Sequence, residues 1–361
     1  MINQYQLDRI WKDIREEVID LADQYLDQGL AQGEAVNQDL EKMLCEHTGR
    51  KHATLVGNCT DALYIALKSL NLPQGFRAAV PDMTWISTAS SVVRAGGIPV
   101  FFDIDTNYTI NTEQDFSDCD VILAVDLLGN SCNWELLESK WAHKPIVHDA
   151  AQSFGTVYHS KSSLRRGTVA CASFGPIKPL PSFGSGGALF TDDDELNQQH
   201  KLLRLHYKKT NLDVTAKDSR AVYSINSVMN SFEISAVTVG LKYYEAWRQR
   251  RNSIARYYYD NFKNDLEFSH GPNMPETFNA LYKLAMRHKK QKSIVDGMHH
   301  NGVQAQGLYI PLTAESRFKE YPKRSTSVSS KFSFLSFTVP NQHTLTDSEV
   351  DVVVQELKKQ L

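Results

Sequence analysis

The sequence predicts an α/β protein with a mostly parallel central sheet flanked by helices, followed by a smaller α+β domain at the C-terminal end. Three observations carry this. Between about residues 50 and 200, short apolar runs alternate with segments whose apolar residues recur at helical spacing, the order that builds parallel sheets. After about residue 220 that alternation stops, and Asn230 with Glu233 three residues later forms a capping-box pattern ahead of one long helical stretch to about Phe262. The 361-residue chain exceeds one compact domain of usual size, and its 42% apolar content is ample for a buried core.

The elements follow in order. MINQYQLDRIWKDIREEV mixes charged and apolar residues as an amphipathic helix does, with no basic start and apolar run of a signal peptide. HATLVG reads as a strand and TDALYIALKSL as the helix after it. RAAVPD, STASSVVRAGG, PVFFDI, DVILAVDLLG, WELLESKW and KPIVHDAA continue the alternation. Strands at about Ala170 to Phe174 and Ala188 to Thr191 flank a loop rich in Gly and Pro. Beyond the long helix come a strand-like ALYKLAM, a helical KKQKSIVDGMHHNG, a strand-like run around Phe332 to Phe337 and a terminal helix from Ser348. These divide the chain into a large domain, 1–245, and a small one, 246–361.

Composition excludes several classes. With 39 Lys+Arg against 42 Asp+Glu the net charge is -3, and the basic clusters at Arg204 to Lys209 and Arg287 to Lys292 are short, so nucleic acid is not an expected partner. No apolar run is long enough to span a bilayer; even VILAVDLLG is interrupted by Asp126. The five cysteines (Cys45, Cys59, Cys119, Cys132, Cys171) are an odd set with no C-x-x-C pair. They argue against a disulfide framework and a zinc site, and fit a reducing, cytoplasmic setting.

Three segments could carry chemistry, because ligands of open α/β sheets sit beyond the carboxyl ends of the strands. In Gly57-Asn58-Cys59-Thr60-Asp61-Ala62-Leu63 a strand passes into a helix, with Asn58 placed as N-cap. The helix start could hold an anionic phosphate, or be no more than a capped structural helix. PIVHDAAQSFG ends an apolar strand at Asp149, either a helix cap or a functional acid. CASFGPIKPLPSFGSGGALFTDD holds one lysine, Lys178, among prolines 176, 179 and 181 and glycines 184, 186 and 187. An amine in an apolar loop has its ammonium form disfavoured, the condition for a lysine that condenses with an aldehyde; the alternative is a solvent-facing loop lysine.

Taken together, with Asp149 and Lys178 separated by two strands and Trp85 in PDMTWISTAS between the first two segments, the sequence resembles the DegT/StrS family of nucleotide-sugar aminotransferases. Those enzymes use pyridoxal 5'-phosphate (PLP) and have the fold type I architecture. The likeness runs over nearly the whole chain. It includes GLAQGEAVNQDLEKMLCEHTGRKHATLVGNCTDAL, VPDMTWISTASSVVRAGGIPVFFDID, the cofactor motifs HDAAQSFG and ASFGPIKPL..GSGGALFTDD, the interface motif INSVMNSFE and the tail FSFLSFTVPNQHTLTDSEVDVVVQEL.

The resemblance implies that Lys178 bonds covalently to the cofactor aldehyde and carries the proton, and that Asp149 pairs with the pyridinium nitrogen. It implies Trp85 stacked on the ring, Gln152 near the ring hydroxyl, and Thr60, Asp61 and Ser173 on the phosphate. Asn226 would reach the phosphate of a neighbouring subunit, giving a homodimer with shared sites. Trp85 and Ser173 also have plain structural readings, as core packing and as a strand residue. The implied reaction passes an amino group from an amino acid, glutamate by expectation, to the keto group of a nucleotide-activated sugar.

Departures from the family pattern bear on substrate and subunit contacts. Asn226-Ser227-Val228 replaces the usual Asn-x-Arg; Asp126 stands for a His, Cys59 for a Gly and Ser185 for an Asp, and His148 and Phe154 are atypical. The rival readings are a non-catalytic, PLP-binding regulatory relative, and a PLP-dependent sugar dehydratase, in which histidine replaces the lysine. A third, a PLP enzyme acting on amino acids alone, needs a carboxylate-binding arginine, for which Arg317 is the candidate by position, but VQAQGLYIPL before it resembles the sugar enzymes' substrate loop.

Overall fold

Helix α1 (Leu7–Asp27) buries Ile10, Ile14, Val18 and Ala22, spaced four apart so that they share one face. In the computed structural model, which describes residues 1–206, 219–269 and 277–361, it packs along a later long helix. The Tyr207–Lys209 end of the basic cluster that starts at Arg204 lies outside the described residues. α2 (Glu34–Thr48) then leads to β1 (His52–Val56), α3 (Cys59–Ser69), β2 (Arg77–Pro81), α4 (Ile86–Arg94), β3 (Ile98–Phe102), β4 (Val121–Val125), α5 (Trp134–Trp141) and β5 (Ile146–Asp149). Two short strands, β6 (Val157–Tyr158) and β7 (Lys161–Ser162), precede β8 (Val169–Ser173), β9 (Gly187–Thr191), α6 (Asp194–Leu203) and α7 (Ser231–Phe262).

The first seven long strands form one sheet in the order β1-β9-β8-β5-β4-β2-β3, in which β9 alone runs against its neighbours. Side chains alternate across it, as the period of a strand requires. Val56, Val169 and Cys171 join the core beneath α3 and α4, while Leu55, Ala170 and Ala172 join the core on the other face, beneath α1, α2 and α7. A sheet covered on both faces explains why its strands read as continuous apolar runs. Among the described residues no helix is long and apolar enough to cross a membrane.

The capping box at the start of α7 is present: Asn230 takes the Glu233 amide and the Glu233 carboxylate takes the Asn230 amide. α7 runs through the 245/246 boundary without a break. What changes along it is the core it serves, since Ile234, Val237 and Tyr244 pack under the large sheet and Ile254, Tyr258 and Phe262 pack with Met286, Ile294 and Val353. The remainder holds β10 (Glu267–Phe268), β11 (Thr277–Phe278), β12 (Ala285–Arg287), α8 (Gln291–His300), β13 (Gln306–Gly307), α9 (Ser327–Leu335), β14 (Ser336–Thr338) and α10 (Asp347–Gln360). A second sheet runs β10-β12-β14-β13.

Two expectations are corrected here. The run around Phe332 to Phe337 is mostly helix, and only Ser336–Thr338 is strand. Its Phe/Ser alternation is not used as a pleat, for Phe332 is buried while Phe334 is 77% exposed. The helix forms because a distant carboxylate caps it: Asp103 accepts the amides of Val328 and Ser329. ALYKLAM is strand only from Ala285. The Asn279 side chain accepts the Leu281 amide at 2.6 Å in an Asx turn, and Leu281 takes a left-handed φ of 50°. That turn aims the residues after it at the large domain instead of along a strand.

Candidate active site

The parallel strands end on one edge, and the sequence-predicted residues gather there. Asp149 is the last residue of β5 and Ser173 the last of β8. Lys178 sits in the loop from β8 to β9, and Trp85 at the N-cap of α4. Thr60, Trp85, Asp149, Gln152, Ser173 and Lys178 all line one cavity of about 120 Å³. Trp85 and Lys178 also border an adjoining cavity of about 620 Å³, walled by the small domain and by Tyr5 of the N-terminal segment.

At one end of the smaller cavity is a carboxylate. Asp149 is 5% exposed; its oxygens accept from the Thr88 hydroxyl at 2.7 Å and the Ala151 amide at 3.2 Å. Both donors are neutral, and no cation among the described residues pairs with it. Burial raises its pKa, against the opposing pull of those two hydrogen bonds and of the charges of Lys178 and His148. Lys178 responds in the complementary sense: burial lowers its pKa, the Asp149 carboxylate opposes, and Lys283 pushes further down. Its amine lies 5.1 Å from the centre of the Tyr282 ring.

The α3 helix start also contributes. Asn58 accepts the Asp61 amide at 2.8 Å, so the amides ahead of it, at Cys59 and Thr60, have no intrahelical partner. Thr60 donates its hydroxyl to Ser87, which also lines the cavity. Gly187 permits the approach of β9 to this helix start, since a Cβ there would stand 2.7 Å from the Asn58 carbonyl carbon and 2.8 Å from the Cys59 nitrogen. Gln152 accepts the Leu128 amide at 2.7 Å and donates to the Tyr309 hydroxyl at 3.2 Å, tying the large domain to the small one.

Two predicted residues lie elsewhere. The Asp61 carboxylate is engaged by Arg94 at 2.7 Å and by the Asn58 side chain at 3.0 Å, and it does not line the cavity. Asn226 is exposed, in a bridge with Leu205, and does not reach the cavity of its own chain. Its neighbour Ser227 accepts the Gly57 amide at 2.9 Å, holding this segment against the turn into α3. Arg317 borders the larger cavity but is exposed and held by Glu315 at 2.6 Å.

Sequence reasoning missed Ser87 and Thr88, and with them Tyr5, Tyr282, Lys283 and Tyr309. The hydroxyl-rich TWISTAS at a strand-to-helix junction was a readable signal for Ser87 and Thr88. Tyr309 lies in VQAQGLYIPL, the stretch that resembles a substrate loop; nothing local marked Tyr5, Tyr282 or Lys283.

The departures have structural explanations. Asp126 and His148 are partners, both wholly buried, with Nε2 2.9 Å from Oδ2 though not aligned as a good hydrogen bond. The other Asp126 oxygen takes the Cys132 amide, and Trp134 packs edge-on to the imidazole at 4.7 Å. Ser185 donates its hydroxyl to the Gly57 carbonyl at 2.6 Å and its amide to Glu233. Phe154 stacks on His47 at 5.1 Å. Burial pushes the Cys59 thiol well up, so it adds no charge at the helix start. Removing one member of the buried pair by Asp126→Ala should cost about 3 to 5 kcal/mol in urea unfolding. The swapped pair, Asp126→His with His148→Asp, should recover stability relative to either single substitution; a swap no better than the single changes would mean that volume, not pairing, holds this core.

An α/β sheet of this topology, with a buried acid and a depressed-pKa lysine meeting at the strand ends, defines the large domain of a fold type I transferase. The chain belongs to the DegT/DnrJ/EryC1/StrS aminotransferase family, which it matches over residues 12–358. It is 26% identical over 341 residues to the UDP-4-amino-4,6-dideoxy-N-acetyl-beta-L-altrosamine transaminase of Campylobacter jejuni, covering 88% of this chain and 84% of that one. It is 38% identical over 167 residues to the UDP-2-acetamido-2-deoxy-3-oxo-D-glucuronate aminotransferase of Pseudomonas aeruginosa, a match spanning 44% of this chain and under half, 46%, of that relative. The crystal structure of a Brucella abortus family member superposes with a TM-score of 0.93 at 23% identity over 99% of both chains.

Proposed function

We infer that this protein is a PLP-dependent aminotransferase that moves an amino group, from glutamate as donor, onto the keto group of a nucleotide-activated sugar. The observation that carries the reading is the buried Asp149 and the depressed-pKa Lys178 on one cavity at the carboxyl edge of the sheet. The donor set fits the cofactor: a buried carboxylate with only neutral partners suits a ring N–H⁺, and a helix start with Thr60, Ser87 and Ser173 hydroxyls suits a phosphate. Trp85, 56% exposed, offers an indole face at the mouth. Asp61, whose carboxylate is taken by Arg94, would serve the phosphate only by shaping the helix start.

When bound, PLP supplies an electron-withdrawing ring that stabilises charge on the carbon losing its proton. Asp149 holds the ring nitrogen protonated, and Thr88 and the Ala151 amide hold Asp149. Lys178 would hold the cofactor through its aldehyde and, as a free neutral amine, would take up a proton and return it. Gln152 holds the Tyr309 hydroxyl beside the site. The retained Lys178 argues against the dehydratase reading, and its place on the cavity against a purely regulatory one.

The division at 245/246 gives the large domain the cofactor and the small domain the wall of the substrate cavity. A cytoplasmic location accords with five free thiols, four of them buried. The test is spectral: glutamate should bleach the visible absorbance of the purified protein, and one member of a nucleotide-ketosugar panel should restore it. No change with any amino acid would defeat the reading.

Asn226, exposed and off its own cavity, would complete the partner's phosphate site in a homodimer. Loss of one hydrogen bond to a charged phosphate is worth roughly 1.5 to 3 kcal/mol, so Asn226→Ala should weaken cofactor affinity about tenfold to hundredfold. At a PLP concentration too low to fill the Asn226→Ala sites, where both variants are inactive alone, mixing Lys178→Ala subunits with Asn226→Ala subunits should restore activity, because one site in each mixed dimer has both native residues. Proven subunit exchange without recovery would show that Asn226 does not act across the interface.

A further inference from the structure

Lys283 lines the larger cavity beside Lys178, and its residue is 8% exposed. Its ammonium donates to the Gln306 side chain at 3.3 Å and stands 5.4 Å from the Tyr5 ring centre and 5.5 Å from that of Tyr282. No carboxylate among the described residues pairs with it. The Tyr282 ring that meets Lys283 is the one that meets Lys178, so the two amines share one wall.

A buried ammonium with no counter-charge is costly unless something supplies one. The cavity itself supplies none there: Tyr5, Tyr282, Gln306 and Tyr309 are neutral, and burial pushes the Tyr309 hydroxyl up to about 12. The one carboxylate on it among the described residues, Glu315, is paired with Arg317 at 2.6 Å. That ion pair occupies the Arg317 Nε, and Arg317 is exposed where Lys283 is buried. The missing anion must therefore arrive with the substrate.

We propose that Lys283 is the receptor for a substrate carboxylate, holding it against Gln306 while the reacting carbon of the same molecule is presented to Lys178. This rests on the aminotransferase reading and deepens it. One ammonium flanked by phenols and an amide matches a single negative charge in a desolvated wall, whereas a diphosphate would need further buried cations. Two molecules of the reaction could bring such a carboxylate: the amino-acid donor, or a sugar ring oxidised to a uronic acid.

The test compares wild type, Lys283→Met and Lys283→Arg as holoenzymes, by calorimetric titration with glutarate, with UDP-glucuronate and with UDP-glucose, none of which reacts. Lys283→Met should weaken one carboxylate probe about tenfold to hundredfold. UDP-glucose should be unaffected, and Lys283→Arg should restore most of the loss. A loss confined to glutarate assigns the carboxylate to the donor, and the first half-reaction should then show the same rise in half-saturating glutamate with little change in maximal rate. A loss confined to UDP-glucuronate assigns it to the sugar. Equal weakening of UDP-glucose, or unchanged binding of both carboxylates, overturns the proposal. Spectral bleaching by glutamate in wild type is scored separately, so failure of the aminotransferase reading is distinguishable.

Discussion

Lys178→Ala is expected to abolish amino transfer, and the loss should exceed that of any other single substitution in the cavity. A positioned acid–base group alone is worth about 10²- to 10⁴-fold, and Lys178 is assigned a covalent anchor as well. Its loop holds the amine where burial lowers its pKa, which disfavours the ammonium form. Lys283 is no substitute, because its ammonium is engaged with Gln306. Borohydride reduction followed by digestion and mass spectrometry should place the cofactor on the peptide containing residue 178 in wild type and on no peptide in the variant. A label on another peptide, or turnover surviving the substitution, would remove Lys178 from its role.

Asp149→Asn should slow the half-reaction with glutamate by about 10²- to 10³-fold, the scale lost when a preorganised electrostatic partner is taken from a reaction site. The amide is nearly the same shape. It can still accept from the Ala151 amide, and the Thr88 hydroxyl can turn to accept from it while donating to Thr84, 2.9 Å away. What is lost is the negative charge that holds the ring nitrogen protonated. Because burial raises the Asp149 pKa, the folded protein without cofactor binds that proton more tightly than the unfolded chain. Its stability therefore falls as pH rises through the window between the ordinary aspartate value and the raised one. The asparagine variant avoids this cost and should be at least as stable as wild type at neutral pH without cofactor. A near-wild-type single-turnover rate would refute the role of Asp149; a slow rate with an unfolded variant would not support it, so a urea melt accompanies the kinetics.

Much of the site was legible because its residues sit at strand ends and turns that announce themselves locally. Asp149 follows an apolar strand, Lys178 stands in a Pro/Gly loop, and Asn58 precedes an amphipathic helix. Tyr5, Tyr282 and Lys283 carry no such mark, and Tyr309 only its place in VQAQGLYIPL. They come from the first residues of the chain and from the small domain, and become one wall only when the α7 helix brings that domain over the sheet edge. Arg317 shows the converse: a plausible carboxylate receptor by sequence, it is already held by Glu315.

The sequence by itself determined the order and type of the large-domain elements and the caps at Asn58 and Asn230, because apolar periodicity and first-turn hydrogen bonds act within a few residues. Tertiary structure decided what depended on partners far away in the chain. Asp103, more than two hundred residues upstream, caps α9 and makes a helix of a segment patterned as a strand. Asp126 and His148, unremarkable apart, share one buried pocket between adjacent strands. The side chain of Lys283 is solvent-seeking in the unfolded chain; only the packing of the small domain on the large one leaves it buried beside Lys178, with no carboxylate among the described residues paired to it.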